Sequence, residues 1–216
     1  MKAVIAGATG LTGSTLTLEL LARDEFTDIT CLARTIPEER TKGITYIQTD
    51  FDMIHYKKFS ADTAFTCLGT TIKNAGSKEN FYRVDFHYNL MFAEACKKRG
   101  VERFILMSAL GANSRSSVFY NRVKGEIEEA ITNLNFKSLA IIRPSLLEGP
   151  RTEVRPGEIF ATKVMTVINP LLVGGFKKYR SISVDKIASA MAEAAILNYP
   201  GVRIIENDEL QTYCLN

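Results

Sequence analysis

Cysteine and histidine are too few and too scattered in this chain to build a metal centre. Its four cysteines, Cys31, Cys67, Cys96 and Cys214, come no closer than the 29 residues separating Cys67 from Cys96, so the close pairs of a zinc site or redox dithiol are missing. His55 and His87 have no partners at ligand spacing, and no metal is expected. No secretory signal precedes the cysteines, which makes a reducing, cytoplasmic setting the expectation. No uncharged run approaches the ~18 residues of a membrane helix, so no membrane association is expected. Charge of one sign is missing as well: 27 basic and 24 acidic residues leave a net +3 spread along the chain. A basic block that could track nucleic-acid phosphates is absent, and nucleic acid is not an expected partner.

What is present is an ordinary globular mixture. At 216 residues, 46% hydrophobic and 24% charged, the composition fits neither disorder nor a fibrous repeat. One domain over 1–216 is expected, without internal repeat, low-complexity tract or linker. Short apolar runs rich in β-branched residues alternate with amphipathic stretches, which predicts βαβ units and a doubly wound α/β fold with a parallel sheet. Strands are predicted at Ala3–Ala6, Asp28–Ala33, Ile44–Gln48, Ala64–Leu68, Arg103–Met107 and Ser138–Ile142, with a last one at Val202–Ile205. Helices are predicted from Ser14 to Leu21, from about Phe119 to Leu134 and from Asp185 to Leu197. Between Asn80 and Arg99, Phe81, Val84, Tyr88, Met91, Phe92 and Ala95 recur at helical spacing, and Gly100 follows as a C-terminal cap, which predicts one long helix.

The first chemical signal is the loop Gly7-Ala8-Thr9-Gly10-Leu11-Thr12-Gly13. It follows a strand directly and opens a helix, where glycines permit a tight turn and close approach of backbone to a pyrophosphate. The helix N-terminus adds amide donors and the positive end of its dipole. The spacing is Gly-x-x-Gly-x-x-Gly in place of Gly-x-Gly-x-x-Gly, but strand, loop and helix coincide, and a Rossmann fold binding a nicotinamide dinucleotide is expected. At the end of the second strand such folds place an acid on the ribose 2′-hydroxyl when NAD is used; here the residue is Arg34. A guanidinium can take a 2′-phosphate and stack on adenine, which predicts NADPH (NADP) over NADH. The other reading of Arg34 is an ordinary exposed arginine at a strand end. Asp50 and Phe51, after the third strand, would flank the adenine, and Asp50 reads equally as an exposed loop acid.

A second constellation is Tyr120-x-x-x-Lys124. Four residues apart on one helical face, the ammonium can lie near the phenol and draw its pKa down from ~10, making Tyr120 a general acid or base. Lys124 is also available to ribose hydroxyls. Ser108 lies at the end of the fifth strand, where its hydroxyl could support a substrate oxygen as charge develops on it.

With Cys67-Leu68-Gly69-Thr70-Thr71, Val84-Asp85, Arg143-Pro144-Ser145 and the Arg-Pro-Gly-Glu run at 155–158, these motifs resemble the short-chain dehydrogenase/reductase superfamily. The nearer resemblance is to its atypical branch of Tat-interacting-protein-like NAD(P)-binding proteins and their small bacterial homologues, and it covers nearly the whole chain. It implies a parallel sheet of seven strands or similar, NADPH at the strand C-terminal ends, Tyr120 as acid/base, Lys124 on the nicotinamide ribose and Ser108 beside the substrate. It also implies that Thr9, Leu11 and Thr12 with the loop glycines, Leu68, Gly69, Thr70 and Arg143 contact the cofactor, with Pro144 and Ser145 near the nicotinamide carboxamide. Many relatives carry two adjacent serines where this chain has Ser108-Ala109, so Ser114, Ser116 and Ser117 stand as alternative catalytic serines. Residues 151–180 are expected to cover a small-molecule substrate, their arginines binding an anionic group or being solvated loop charges. Residues 164–172 are available to wall the pocket or to form a subunit contact, as in a homodimer. The expected activity is hydride transfer to a small carbonyl compound. The alternatives are a cofactor-sensing regulatory protein without turnover and an epimerase- or dehydratase-like enzyme.

Overall fold

The computed structural model describes residues 1–149 and 174–213. Seven parallel strands form one sheet in the order β3-β2-β1-β4-β5-β6-β9. They are β1 (Lys2–Ala6), β2 (Asp28–Ala33), β3 (Ile44–Gln48), β4 (Thr63–Thr66), β5 (Arg103–Met107), β6 (Ser138–Arg143) and β9 (Gly201–Glu206). A separate two-residue pairing joins β7 (Leu147–Glu148) to β8 (Ile182–Ser183). β1 pairs with β2 on one side and β4 on the other, so the winding reverses there and the chain leaves the ends of β1 and β4 for helices on opposite faces of the sheet.

Helices cover both faces, which is why the strands read as apolar runs without polar alternation. Ala3 and Ile5 of β1 face α1 (Leu11–Leu21) and the helix Val184–Leu197, together with Leu16, Leu20, Ile187 and Met191. Val4 and Ala6 face the opposite layer, where Phe92, Phe104, Ile127 and Leu139 pack. That second layer is built from Asn89–Lys98 and from the helix Phe119–Thr132. The period of two along each strand sends successive side chains into these two cores.

The predicted strands and the helices at the chain's two ends recur within one to three residues, but the region 80–99 differs from a single helix. It folds as Lys78–Tyr82, a wider π-helical segment Arg83–Tyr88, and Asn89–Lys98. The cause is a buried side chain: the Asn89 amide donates to the carbonyls of Val84 (3.2 Å) and Asp85 (3.1 Å) and to Leu68 O of the loop after β4 (3.3 Å), while its Oδ1 accepts from Thr66 Oγ1 at 2.5 Å. Carbonyls released by the wider turn are thereby satisfied, and the segment is fastened to the end of β4. A short helix, Ile72–Ala75, follows that loop, capped by the Thr71 hydroxyl. β4 itself ends at Thr66, two residues before the predicted Leu68, because Cys67 and Leu68 leave the sheet for the cleft described next.

Candidate functional site

A cleft of about 730 Å³ opens at the C-terminal ends of the central strands. Thr9, Gly10, Leu11 and Thr12 line it from the glycine loop, Leu68, Gly69 and Thr70 from the loop after β4, and Ser108 from the end of β5. Tyr120 and Lys124 line it from the helix Phe119–Thr132, and Pro144 and Ser145 from the end of β6. These twelve residues, expected to act together from their separate motifs, are brought to one cavity.

The glycine loop is shaped by two close approaches, one to the chain leaving β4 and one to itself. Gly7 has φ +84°, and a Cβ there would lie 2.7 Å from the Cys67 carbonyl carbon. A Cβ on Gly13 would lie 2.0 Å from Gly7 O, closer than any side chain allows. Neither glycine lines the cleft; Gly7 lets the loop press on the chain leaving β4, and Gly13 lets it close tightly on the start of α1. Gly10, the N-cap, contributes no side-chain acceptor, and the first turn carries no acidic residue. The opening amides of α1 are thus left without a side-chain cap, the arrangement that suits an anion.

Two ion pairs lie at and beneath the floor of the cleft. Lys124 Nζ lies 2.7 Å from Asp85 Oδ1, with both side chains buried. Burial opposes the charge on Lys124, but the Asp85 carboxylate, supported by Tyr120 and Glu128, outweighs it and holds the ammonium pKa above the ordinary lysine value. Asp85 Oδ2 accepts from the Thr70 amide at 2.9 Å, and a Cβ on Gly69 would touch Asp85 Oδ1 at 3.4 Å, so the cofactor-side loop runs directly over this pair. Tyr120 is half-buried, its ring 5.7 Å from that of Phe81.

The second pair organises Ser108. Its hydroxyl donates to Glu128 Oε1. Glu128 is gripped by Arg143, with Nε on Oε1 at 3.0 Å and Nη2 on Oε2 at 2.5 Å, while Nη1 reaches Glu206 Oε1 at 2.9 Å. Hydrogen bonding to Glu128, opposed by partial burial and aided by Glu206, raises the Arg143 pKa further. Arg143 therefore sits beneath the cleft in an ion-pair network and is not among the lining residues.

Other expected residues are placed elsewhere. Arg34 is exposed at the end of β2, and its carbonyl accepts from Gln48 Nε2 at 3.0 Å. Asp50 caps the 3-10 turn Phe51–Tyr56 through its carboxylate, and Phe51 is buried 5.7 Å from the Tyr88 ring. Ser145 Oγ donates to Arg180 O, and its amide to Asn207 Oδ1 at 3.0 Å, so its polar groups tie the cleft rim to the chain before β8 and to the residue after β9. Ser114 bonds Glu129 and Ser116 caps the Val118 amide, neither lining the cleft; Ser117 is exposed. The Cys67 thiol lies on the cleft wall, and burial pushes its pKa up to about 12, which leaves it a poor nucleophile. Residues 151–173, including Arg151, the Arg155–Glu158 run and 164–172, and Cys214 lie outside the described residues.

Sequence reasoning assigned no role to Asp85, Glu128, Asn89 or Asn207. Only Glu128 left a local trace: Tyr120, Lys124 and Glu128 are spaced by four and occupy one face of the helix.

Comparison with known proteins bears on the family and the fold. A family model described as NAD(P)H-binding matches residues 7–196. Protein HTATIP2 of Rattus norvegicus is 39% identical over 165 residues, covering 74% of this chain and 68% of that protein. The mitochondrial protein FMP52 of Eremothecium gossypii is 32% identical over 216 residues, 97% of this chain and 96% of its own length. Among solved structures, MoeE5 in complex with UDP-glucose and NAD superposes with a TM-score of 0.72 at 16% identity, covering 97% of this chain and 79% of that one. The human epimerase family protein SDR39U1 with NADPH gives 0.65 at 17%, covering 94% and 73%. At such identities the structures speak for the fold alone.

Proposed function

This chain belongs to the NAD(P)H-binding family, among the atypical short-chain dehydrogenase/reductase-like proteins, and from that premise we propose that it is an NADPH-dependent oxidoreductase acting on a small carbonyl compound. The observation that carries the reading is the meeting of Ser108, Tyr120 and Lys124 with the glycine loop in one cleft. The residues suit a dinucleotide: uncapped amides at the start of α1 for the pyrophosphate, and an exposed Arg34 at the end of β2 for a 2′-phosphate. When bound, the dinucleotide supplies the hydride.

The protein's own groups then supply the proton and the electrostatics. Tyr120, facing the cleft, gives its phenolic proton to the oxygen of the carbonyl as that oxygen gains charge. Lys124, charged through its contact with Asp85, stabilises the phenolate that remains and is available to ribose hydroxyls. Ser108 assists at the oxygen after turning its hydroxyl from Glu128 toward the cleft; Glu128 keeps both bonds from Arg143 when it does so. The Leu146 and Leu147 side of the cleft supplies apolar wall for the rest of the substrate.

The test is a fluorescence titration of cofactor-stripped protein with NADPH and NADH, on the native chain and on Arg34→Ala. NADPH is expected to bind about tenfold or more tighter, a margin of about 1.4 kcal/mol that Arg34→Ala removes. Equal affinities in the native chain would overturn the NADPH preference. Oxidation of NADPH by a panel of aldehydes and ketones follows. Tyr120→Phe is expected to abolish it, and normal turnover in that variant would rule out the proton transfer.

A further inference from the structure

Asp85 stands where two parts of the cleft meet. It lies in the π-helical segment Arg83–Tyr88, is 1% exposed, and divides its carboxylate between the Thr70 amide and the Lys124 ammonium. Among the described residues its Oδ1 has no hydrogen-bond donor other than that ammonium. We propose that Asp85 is the positioning residue of this site, coupling the loop that carries Leu68, Gly69 and Thr70 to the Tyr120–Lys124 pair so that loop and ammonium are set as one unit.

The assignment follows by elimination among the charges facing Lys124. From its own helix come Tyr120 and Glu128; from the Arg83–Tyr88 segment comes Asp85. Glu128 is taken up by Nε and Nη2 of Arg143 on β6 and by Ser108 at the end of β5, so it has little left to offer an ammonium. Asp85 is the carboxylate in direct contact. A buried amine without a counter-charge sheds its proton, so the charge of Lys124, and its fixed direction, depend on Asp85. The same carboxylate holds the loop after β4 by a charge-assisted bond to backbone, which is insensitive to the side chain at position 70. Any ligand that moves this loop therefore moves the counter-charge of Lys124 with it.

The test uses Asp85→Asn, which keeps an oxygen for the Thr70 amide and removes the charge, alongside Asp85→Ala, which removes both. In cofactor-free protein labelled with carbon-13 lysine, the Lys124 Cε signal is assigned by its loss in Lys124→Met and followed against pH. Its midpoint is expected to fall by at least one pH unit in Asp85→Asn, a tenfold loss of proton affinity; an unchanged midpoint overturns the proposal, because a merely structural role would not move it. NADPH affinity is then expected to weaken about fivefold in Asp85→Asn and at least tenfold in Asp85→Ala, whereas equal affinities overturn the coupling. Should the variants fail to fold, the native chain still decides. Saturating NADPH is expected to slow hydrogen exchange at the Thr70 amide and to shift the Lys124 signal in parallel, and a change in only one refutes the link. The coupling arm rests on the dinucleotide reading, but the Lys124 titration does not. A native chain that binds no NADPH sinks that reading and leaves the first arm to be judged by itself.

Discussion

Gly13→Ala sets two effects of opposite sign against each other. Gly13 lies inside α1, where replacing glycine by alanine ordinarily stabilises a helix by about 0.5–1 kcal/mol. Here the added Cβ would stand 2.0 Å from Gly7 O, 2.7 Å from Gly7 C and 3.0 Å from Ala8 Cα, all backbone atoms that cannot rotate away. Since real Cβ contacts stop near 3.0 Å, the start of the helix must withdraw from the loop by about 1 Å. Overpacking of this kind costs about 1–3 kcal/mol, so the clash outweighs the propensity gain and the net expectation is destabilisation by about 1–2 kcal/mol. The same withdrawal pulls the opening amides of α1 from the phosphate position, and NADPH affinity should fall by about tenfold or more, on the order of 1.4 kcal/mol. Urea unfolding gives the first quantity and cofactor fluorescence titration the second. A variant as stable as the native chain or more so, binding NADPH within twofold, would show that the loop yields at no cost and that the Gly7–Gly13 contact does not shape the cradle.

Arg143→Met strips Glu128 of both guanidinium bonds and leaves a buried carboxylate with Ser108 alone, for which a loss of about 3 kcal/mol is expected in urea unfolding at neutral pH. A loss under about 1 kcal/mol would mean that the ion pair contributes no more than an exposed pair does. At the alkaline end, burial, opposed by hydrogen bonding with Thr17, pushes the Cys31 thiol up to about 11 from an ordinary 9.0. The thiol ionises in the unfolded chain first, so this contribution is complete below about pH 9 and is lost as pH rises through about 11, a fall of about 2–3 kcal/mol. Lys124, also raised, adds a decline above its ordinary 10.5. Cys31→Ala should flatten the stability curve between pH 9 and 11, and an unaltered slope would refute the assignment.

Legibility in the sequence followed the range of the interactions. The glycine loop is local: strand, turn and helix occupy consecutive residues, and the steric demand at Gly13 is set by Gly7 within seven positions, although Gly7 in turn is pressed by Cys67 far along the chain. Strand positions were legible because a sheet covered on both faces writes its strands as apolar runs. Tyr120 and Lys124 share a helix face, and Ser108 ends a strand, so their convergence followed from topology. Partners distant in sequence were not legible. Arg143 could not announce that Glu128 and Glu206 would claim it, and nothing near Asp85 points to a lysine 39 positions later. The apolar spacing of 80–99 is equally good for an unbroken helix, because the wider turn is made by one asparagine amide whose acceptors appear only in the folded chain.

That wider turn makes the segment Arg83–Tyr88 a matter of counting. Asn89–Lys98 is anchored by Phe92, Ala93, Ala95 and Cys96 in the core, so the residues before it act as a spacer that sets the angle at which Asp85 arrives. Deleting one residue there would let an unbroken α-helix form, satisfying the carbonyls that Asn89 now serves, and would swing everything upstream by about 100°, the angle one residue subtends. Asp85 would then face away from Lys124 although every other residue were still present. Chemistry at the cleft floor depends in this sense on the length of a helix as much as on the identity of the groups it carries.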